Sequence, residues 1–251
     1  MNKLIIDIGN TRINFALFED DKLIEKVASD NKDKYSLEYF MSFIYGFLGY
    51  KDIEKIYISS VVPNLSELLS KTLLELYPNV KPYFINLASK TILEYKVDDP
   101  SEIGADIIGD LAIGKKKYGY PLLIADLGTA TKILLIDKEG NFKACNIIPG
   151  LTLSLRSLAS NAALLPDVNV GECKSILASN TIDAMNSGVI FAHIGGIEYI
   201  FDLYEKELGY KCKKIFTGGA GMRIKPLLEN KYEFNENLLL EGINFLGDLA
   251  R

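Results

Sequence analysis

The sequence predicts an α/β protein made of two similar lobes, and three observations carry that reading. The first is a duplicated hairpin. Leu4–Phe18, LIIDIGNTRINFALF, and Leu123–Ile136, LIADLGTATKILLI, follow one plan. In each, an apolar run reaches an Asp, an apolar residue, a Gly and a few hydroxyl or amide residues before a second apolar run. An Ile-, Leu- and Phe-rich run broken by a Gly-centred turn reads as a β-hairpin. The second observation is element order: each half opens β-β-β-α and returns to a strand after helix. The third is size. At 251 residues, 48% hydrophobic and 24% charged, the chain has apolar material for one large domain or two of about 100–150 residues. The lobes are expected at 1–103 and 104–251.

In order, Leu4–Ile8, Ile13–Phe18 and Lys22–Ala28 read as consecutive strands. Leu37–Leu48 has apolar residues at helical spacing. Ile53–Ser59 is a strand, and Asn64 is a plausible N-cap for a helix running to about Leu76. Lys81–Ile85 is a further strand. Tyr95–Ile103 is a polar connector containing Pro100, and Ile103–Tyr118 a helix with small residues on it. Strands resume at Leu122–Leu127, Lys132–Asp137 and Asn141–Ile148. A helix follows over Leu151–Asn161, then a long one over Asn180–Leu208, weakened in its middle by Gly188, Gly195 and Gly196. Lys213–Phe216 is a strand leading into the Gly-rich Thr217–Gly221 and a short helix.

Composition excludes several classes. The net charge is −5, and the densest basic run, Lys115–Lys117, is read as a solvated helix end, so no nucleic-acid partner is expected. Cys145, Cys173 and Cys212 form no CxxC and are odd in number, which suits a reduced, intracellular protein and no cysteine-bound metal. The apolar run before Asp7 is too short for a signal-peptide core, and no run of 18 apolar residues occurs. No membrane partner and a cytoplasmic location are expected.

The candidate site lies in the turns. Asp7, Gly9, Asn10 and Thr11 match Asp126, Gly128, Thr129 and Thr131. One copy alone would read as an ordinary Asn-Gly turn. Two copies, each with a carboxylate ending an apolar strand, point to a bound cation and to backbone N–H and hydroxyl groups holding phosphate oxygens across a cleft. Thr217–Gly221 is either a tight strand-to-helix turn or a place where backbone meets ligand closely. Gly104-Ala105-Asp106 opens a helix; Asp106 either accepts a proton from a substrate hydroxyl or favours the helix dipole. Asn180-Thr181 caps the long helix. His193, in the apolar VIFAHIGG, reads as a satisfied core or interface residue. With a single His and no GxSxG, a Ser-His-Asp hydrolase is excluded.

Together these turns resemble those of the acetate-kinase, sugar-kinase, Hsp70 and actin superfamily. More narrowly the chain resembles the type III pantothenate kinases. The matching pieces are DIGNT at Asp7–Thr11, SSVVP at Ser59–Pro63, GAD at Gly104–Asp106 and DLGTAT at Asp126–Thr131. PGL at Pro149–Leu151, LP at Leu165–Pro166, NTIDAMNSG at Asn180–Gly188 and TGG at Thr217–Gly219 continue the series. The resemblance implies two ribonuclease H-like lobes of the actin/Hsp70/sugar-kinase type with a nucleotide cleft between them. It implies ATP-dependent phosphorylation of pantothenate, the first step of coenzyme A synthesis, with Mg²⁺ accompanying ATP, in a homodimer. Asp7, Ile8, Gly9, Asn10, Thr11, Arg12, Ile13 and Asn14 would line the phosphates, and Thr129, Gly218 and Gly219 would contact the nucleotide. Asp106 would be the catalytic proton acceptor. Gly104, Ala105, Asp106, Ile107 and Thr181 would form the pantothenate site. Asp126 would bind a monovalent cation, potassium or ammonium.

Three residues depart from the pattern. Ile107 stands where the family has an arginine, and an aliphatic side chain gives a carboxylate no charge-assisted bond. Val97 stands where a tyrosine is usual, with Tyr95 nearby. Lys132 follows GTAT where a hydroxyl or small residue is more usual. The nucleotide side is kept and the acceptor side altered. Besides pantothenate kinase, the sequence therefore admits a kinase of another small hydroxylated acceptor, or a non-catalytic nucleotide-binding or regulatory relative.

Overall fold

Side chains alternate along β1 (Asn2–Ile8), and every one from Lys3 to Ile8 is buried, so both faces of this strand are covered. The computed structural model describes residues 1–30, 35–171, 173 and 175–250. They form two compact units: Met1–Lys117 with Leu238–Arg251, and Tyr118–Asn237. The lobes read from sequence put Gly104–Lys117 and the C-terminal segment in the second half; these units group both with the first.

In the first unit, β2 (Ile13–Glu19) runs antiparallel to β1 with Ile8 opposite Ile13, and β3 (Lys22–Ser29) continues the meander. β4 (Lys55–Ser60) and the short β5 (Tyr83–Phe84) lie parallel on the other side, giving the order β3-β2-β1-β4-β5. Leu4, Ile6 and Ile8 of β1 and Ile13, Phe15 and Leu17 of β2 enter one core. Phe40, Ile44 and Leu48 join them from α1 (Leu37–Leu48), where spacing of four puts all three on one face. Each such buried side chain contributes about 1.5–3 kcal/mol. Leu69 and Leu73 enter from α2 (Pro63–Leu76). Asn64 lies inside α2 rather than capping it: the helix starts at Pro63 after Val62, which makes no side-chain cap bond. Proline's fixed φ and missing N–H suit the first helical position.

Behind this sheet the C-terminal helix α7 (Leu238–Leu249) packs on β1 and β4. A Cβ on Gly247 would lie 2.2 Å from Tyr57 Cδ2, so only glycine lets the helix approach this far. Asp248 of α7 accepts from Lys3, from Lys55 Nζ at 3.2 Å and from the Tyr57 hydroxyl at 2.9 Å. α3 (Ala105–Tyr118) meets α7 backbone to backbone, since a Cβ on Gly242 would lie 2.2 Å from Gly109 O.

The second unit repeats the sheet. β6 (Leu122–Leu127), β7 (Ala130–Ile136) and β8 (Phe142–Pro149) form the antiparallel meander. β9 (Lys213–Thr217) and β10 (Glu233–Phe234) lie parallel beyond β6, in the order β10-β9-β6-β7-β8. β6 takes the place of β1, β7 of β2 and β9 of β4. The core is built on Leu123, Ala125, Ile133 and Phe216, with helices α4 (Leu151–Asn161), α5 (Thr181–Leu208) and α6 (Gly221–Leu228) over it. α5 runs unbroken through Gly188, Gly195 and Gly196 because Ile190, Ile194, Ile197 and Phe201 bury along one side of it. Tertiary packing there outweighs the glycines' poor propensity.

Candidate functional site

In the first unit the site residues gather at the carboxyl ends of β1 and β4 and at the start of α3. Asp7 is next to last on β1, and only 8% exposed. Asn14, opposite it on β2, donates from Nδ2 to Asp7 Oδ2 at 3.1 Å. Ser59 pairs with Asp7 in the parallel register to β4. Its Oγ is buried and has no hydrogen-bond partner among the described residues. The turn closes with Gly9 N donating to Arg12 O at 3.0 Å. Asn10 and Thr11 are exposed at its tip, while Ile8 and Ile13 anchor its base in the core. Arg12 is held by Asp30 in a two-pronged pair, Nε to Oδ1 at 2.5 Å and Nη2 to Oδ2 at 2.9 Å. That hydrogen bonding raises the guanidinium's pKa and lowers the carboxyl's. A phosphate approaching Arg12 would compete with Asp30.

Val61 N donates to Ile8 O at 3.1 Å, tying the end of β4 to the end of β1. A Cβ on Gly104 would contact Val61 Cγ1 at 3.7 Å, so the GAD segment adjoins the SSVVP turn. Asp106 Oδ1 accepts from Ile107 N at 2.8 Å at the first turn of α3. Ala105 is buried at the helix start; Asp106 and Ile107 are half-buried. Tyr95 is half-buried, and burial raises the pKa of its hydroxyl.

The second unit builds a matching edge at the ends of β6 and β9. Asp126 pairs with Thr217 in parallel register, as Asp7 does with Ser59. Its antiparallel partner is Lys132, in the place of Asn14. Lys132 Nζ lies 2.7 Å from Asp126 Oδ2, and both side chains are 13% exposed. Gly218, at φ +90°, crosses this carboxylate so closely that a Cβ would sit 2.6 Å from Asp126 Oδ1 and 2.5 Å from Leu127 O. Gly218 is thus obligatory both for its backbone angle and for space. Gly219 follows with open space over it. Thr129 is exposed at the β6–β7 turn, and its carbonyl accepts from Gly150 N, the residue before α4, at 3.1 Å. A Cβ on Gly150 would meet Gly128 O at 2.4 Å and Thr129 O at 2.5 Å, so α4 can begin against this turn only from glycine. Asn180 caps α5, accepting from Asp183 N at 2.9 Å, and Thr181 is exposed as its first residue. His193 Nε2 and Thr131 Oγ1 lie 2.9 Å apart in the interior, and burial lowers the imidazole's pKa. A neutral core histidine is what the apolar VIFAHIGG stretch suggests.

The structure brings Asp7, the Gly9–Arg12 turn and Gly104–Ile107 to one edge of the first sheet. It brings Asp126, Thr129, Gly218 and Gly219 to the equivalent edge of the second. Sequence reasoning missed the ion pair of Asp126, the clamp of Gly150 on the turn and the whole of α7 with Asp248. The first was within reach: in each hairpin the residue opposite the Asp is polar, Asn14 in the first and Lys132 in the second. Among the described residues no group of three or more His, Cys, Asp or Glu is placed to hold a metal ion, and no helix is long and apolar enough to cross a membrane.

For Mg²⁺ accompanying ATP, Asp7 with the orphaned Ser59 hydroxyl beside it is a suitable set of hard oxygens. For a monovalent cation at Asp126 the donor set does not fit in the same way, because that carboxylate already holds an ammonium group.

Comparison with known proteins bears on the fold and the family. The sheet order and duplicated hairpins are those of the actin/Hsp70/sugar-kinase fold. The chain is similar to a conserved candidate Baf-family transcriptional activator from Campylobacter jejuni, with a TM-score of 0.56, 19% identity and coverage of 97% of this chain and 96% of that one. It is also similar to component A of the (R)-2-hydroxyglutaryl-CoA dehydratase of Acidaminococcus fermentans, with a TM-score of 0.52, 11% identity and coverage of 100% and 96%. The family model for type III pantothenate kinase matches residues 3–203. Type III pantothenate kinases from Agathobacter rectalis and Citrifermentans bemidjiense are 32% and 33% identical over 97% of this chain and 95% and 97% of their own lengths. The chain belongs to the type III pantothenate kinase family.

Proposed function

We propose that this chain transfers the γ-phosphoryl group of ATP to a hydroxyl of pantothenate, the first step of coenzyme A synthesis. Family membership supports the class. The arrangement of Gly104, Asp106 and Val61 beside the end of β1 is the observation that carries the chemistry. In this reading the Asp7–Asn14 turn receives phosphate oxygens, with Asp7 and Ser59 toward Mg²⁺. Thr129, Gly218 and Gly219 contact the nucleotide, and Gly104–Ile107 and Thr181 the acceptor. The acceptor oxygen forms its bond to phosphorus as the bond from phosphorus to the β,γ-bridging oxygen breaks, and ADP leaves. Asp106 takes the hydroxyl proton late in that step. Because such transfer is mostly positioning and electrostatics, fixed backbone donors at the turns matter more than any covalent group.

A homodimer is part of this reading. Leu164 at 96% and Leu177 at 87% exposure suit cover by a second copy. A second acceptor remains a defined rival, favoured by Ile107 and Val97. A coupled assay for ADP release with Mg²⁺, ATP and pantothenate decides between them. Turnover that saturates in pantothenate supports the proposal. ADP release only with other small hydroxylated acids, or nucleotide binding with no release, overturns it.

A further inference from the structure

We infer that Lys132 supplies, from within the chain, the monovalent positive charge beside Asp126 that a potassium or ammonium ion would otherwise bring. The inference rests on the kinase reading above, but concerns how the nucleotide side is neutralised.

Asp126 and Lys132 are directly opposite on β6 and β7, so their side chains leave the sheet on one face as near neighbours. Lys132 Nζ reaches Asp126 Oδ2 at 2.7 Å, with both side chains largely removed from water. On the opposite face of β7, Thr131 turns inward to His193, so the lysine's direction is fixed by the alternation of the strand. Asp126 Oδ1 meanwhile lies against Gly218. The carboxylate is therefore bounded by an ammonium on one oxygen and by backbone on the other.

The first hairpin acts as an internal control. There the residue opposite the Asp is Asn14, a neutral amide 3.1 Å from Asp7. At this position the first hairpin places a donor without a charge. Only the second copy carries a cation there. A lysine ammonium has the charge of potassium and directs its N–H donors at oxygen as an ammonium ion does. Its tether makes its local concentration independent of the buffer. A free cation brought to the same carboxylate would face like-charge repulsion at short range in a poorly screened site. Asp126 is thus met by a charge from its own strand neighbour, where the residue opposite Asp7 offers a neutral amide.

The test uses the full-length chain and measures ADP and ATP affinity by calorimetry in matched choline, sodium, potassium and ammonium chloride buffers, with turnover measured alongside. The wild type is expected to bind nucleotide within about threefold of the same affinity in all four. A gain of about tenfold or more on adding potassium would overturn the inference. Lys132→Thr leaves room and a hydroxyl oxygen. It is expected to lose about 10- to 100-fold in choline, since a shielded carboxylate is left uncompensated, and to recover most of this in potassium or ammonium. A loss that no cation repairs, or no loss, overturns the inference. Should Lys132→Thr fail to fold, the wild-type cation series decides alone. Absent pantothenate turnover together with the expected binding pattern would remove the proposed reaction and leave the lysine's role standing.

Discussion

Gly104 has no room for a side chain because Asp106 folds back over it: a Cβ there would lie 2.5 Å from Asp106 Oδ1. The glycine therefore sets where the carboxylate points. Gly104→Ala is expected to displace Asp106 by a sizeable fraction of an ångström, since that side chain is the movable partner. Misplacement on this scale costs up to about 100-fold in rate. Steady-state kinetics should show a fall in kcat of about 10- to 100-fold, with ATP affinity unchanged, because Asp7 and its turn lie on a different element. An unchanged kcat would mean that the position of Asp106 is not what Gly104 protects.

Asp106→Asn tests the proposed proton acceptor itself. The amide keeps the size of the side chain and its ability to accept from Ile107 N, so α3 should start as before. It cannot take a proton from the acceptor hydroxyl. A kcat lower by roughly 10²–10⁴-fold is expected, the usual span for loss of a general base. Nucleotide affinity by calorimetry should stay within about twofold. Full activity in this variant would remove Asp106 from the mechanism.

α1, β6 and α4 were legible in the sequence to the residue, because Phe40, Ile44 and Leu48, or the apolar run of β6, bury in the period that their backbone dictates. The duplicated Asp-Gly turns were legible because a carboxylate at the end of an apolar strand is costly without a partner. α7 was not. Its reason for packing is Gly242 against Gly109 and Gly247 against Tyr57, far apart in sequence and visible only once α3 and β4 are in place. The chain accordingly returns at its end to the first unit, beyond what any local pattern signals. Gly150 is similar: PGL was read as a motif, but its need for glycine comes from Gly128 and Thr129 carbonyls. The resemblance puts Arg12 among the phosphate-lining residues, and nothing local to it indicates that Asp30 holds it.

Glu205 gives the fold a defined response to acid. Near the end of α5 it is almost fully buried. Burial alone pushes its carboxyl up. Lys211 at 2.7 Å, Lys214 at 2.8 Å and the Cys212 N–H at 3.0 Å outweigh that and bring its pKa down to about 2. A carboxyl depressed in the folded state stabilises fully above its unfolded pKa, about 4.3, and that contribution fades as pH falls from there toward 2. Urea unfolding should therefore show Glu205→Gln less stable than wild type by on the order of 2–3 kcal/mol at pH 7. The gap should narrow steadily below about pH 4. A gap that is constant with pH would mean that the glutamine loses packing and not charge.

In the proposed reaction Ile107 bears on what the acceptor site recognises. It follows Asp106 on the first turn of α3 and is half-buried, at the place where the sequence resemblance leads to the expectation of an arginine. An isoleucine offers no donor to a carboxylate, whereas an arginine would offer a two-pronged pair. Such a bond is worth about 1.5–3 kcal/mol, or roughly 10- to 100-fold in affinity. If pantothenate is the acceptor, its carboxylate must be met here by backbone N–H groups, by water or by a basic residue from a second copy. The expected outcome is a high KM for pantothenate in the wild type and a KM lower by about tenfold in Ile107→Arg, with kcat and the KM for ATP little changed. Measuring both KM values separates a gain at the acceptor from a general change in the fold, which would move both. If Ile107→Arg folds normally and leaves the pantothenate KM where it was, the start of α3 does not face the acceptor's carboxylate. Screening other small hydroxylated acceptors, neutral ones first, would then be the direct next measurement, because a pocket edged by an isoleucine favours a neutral group at that end.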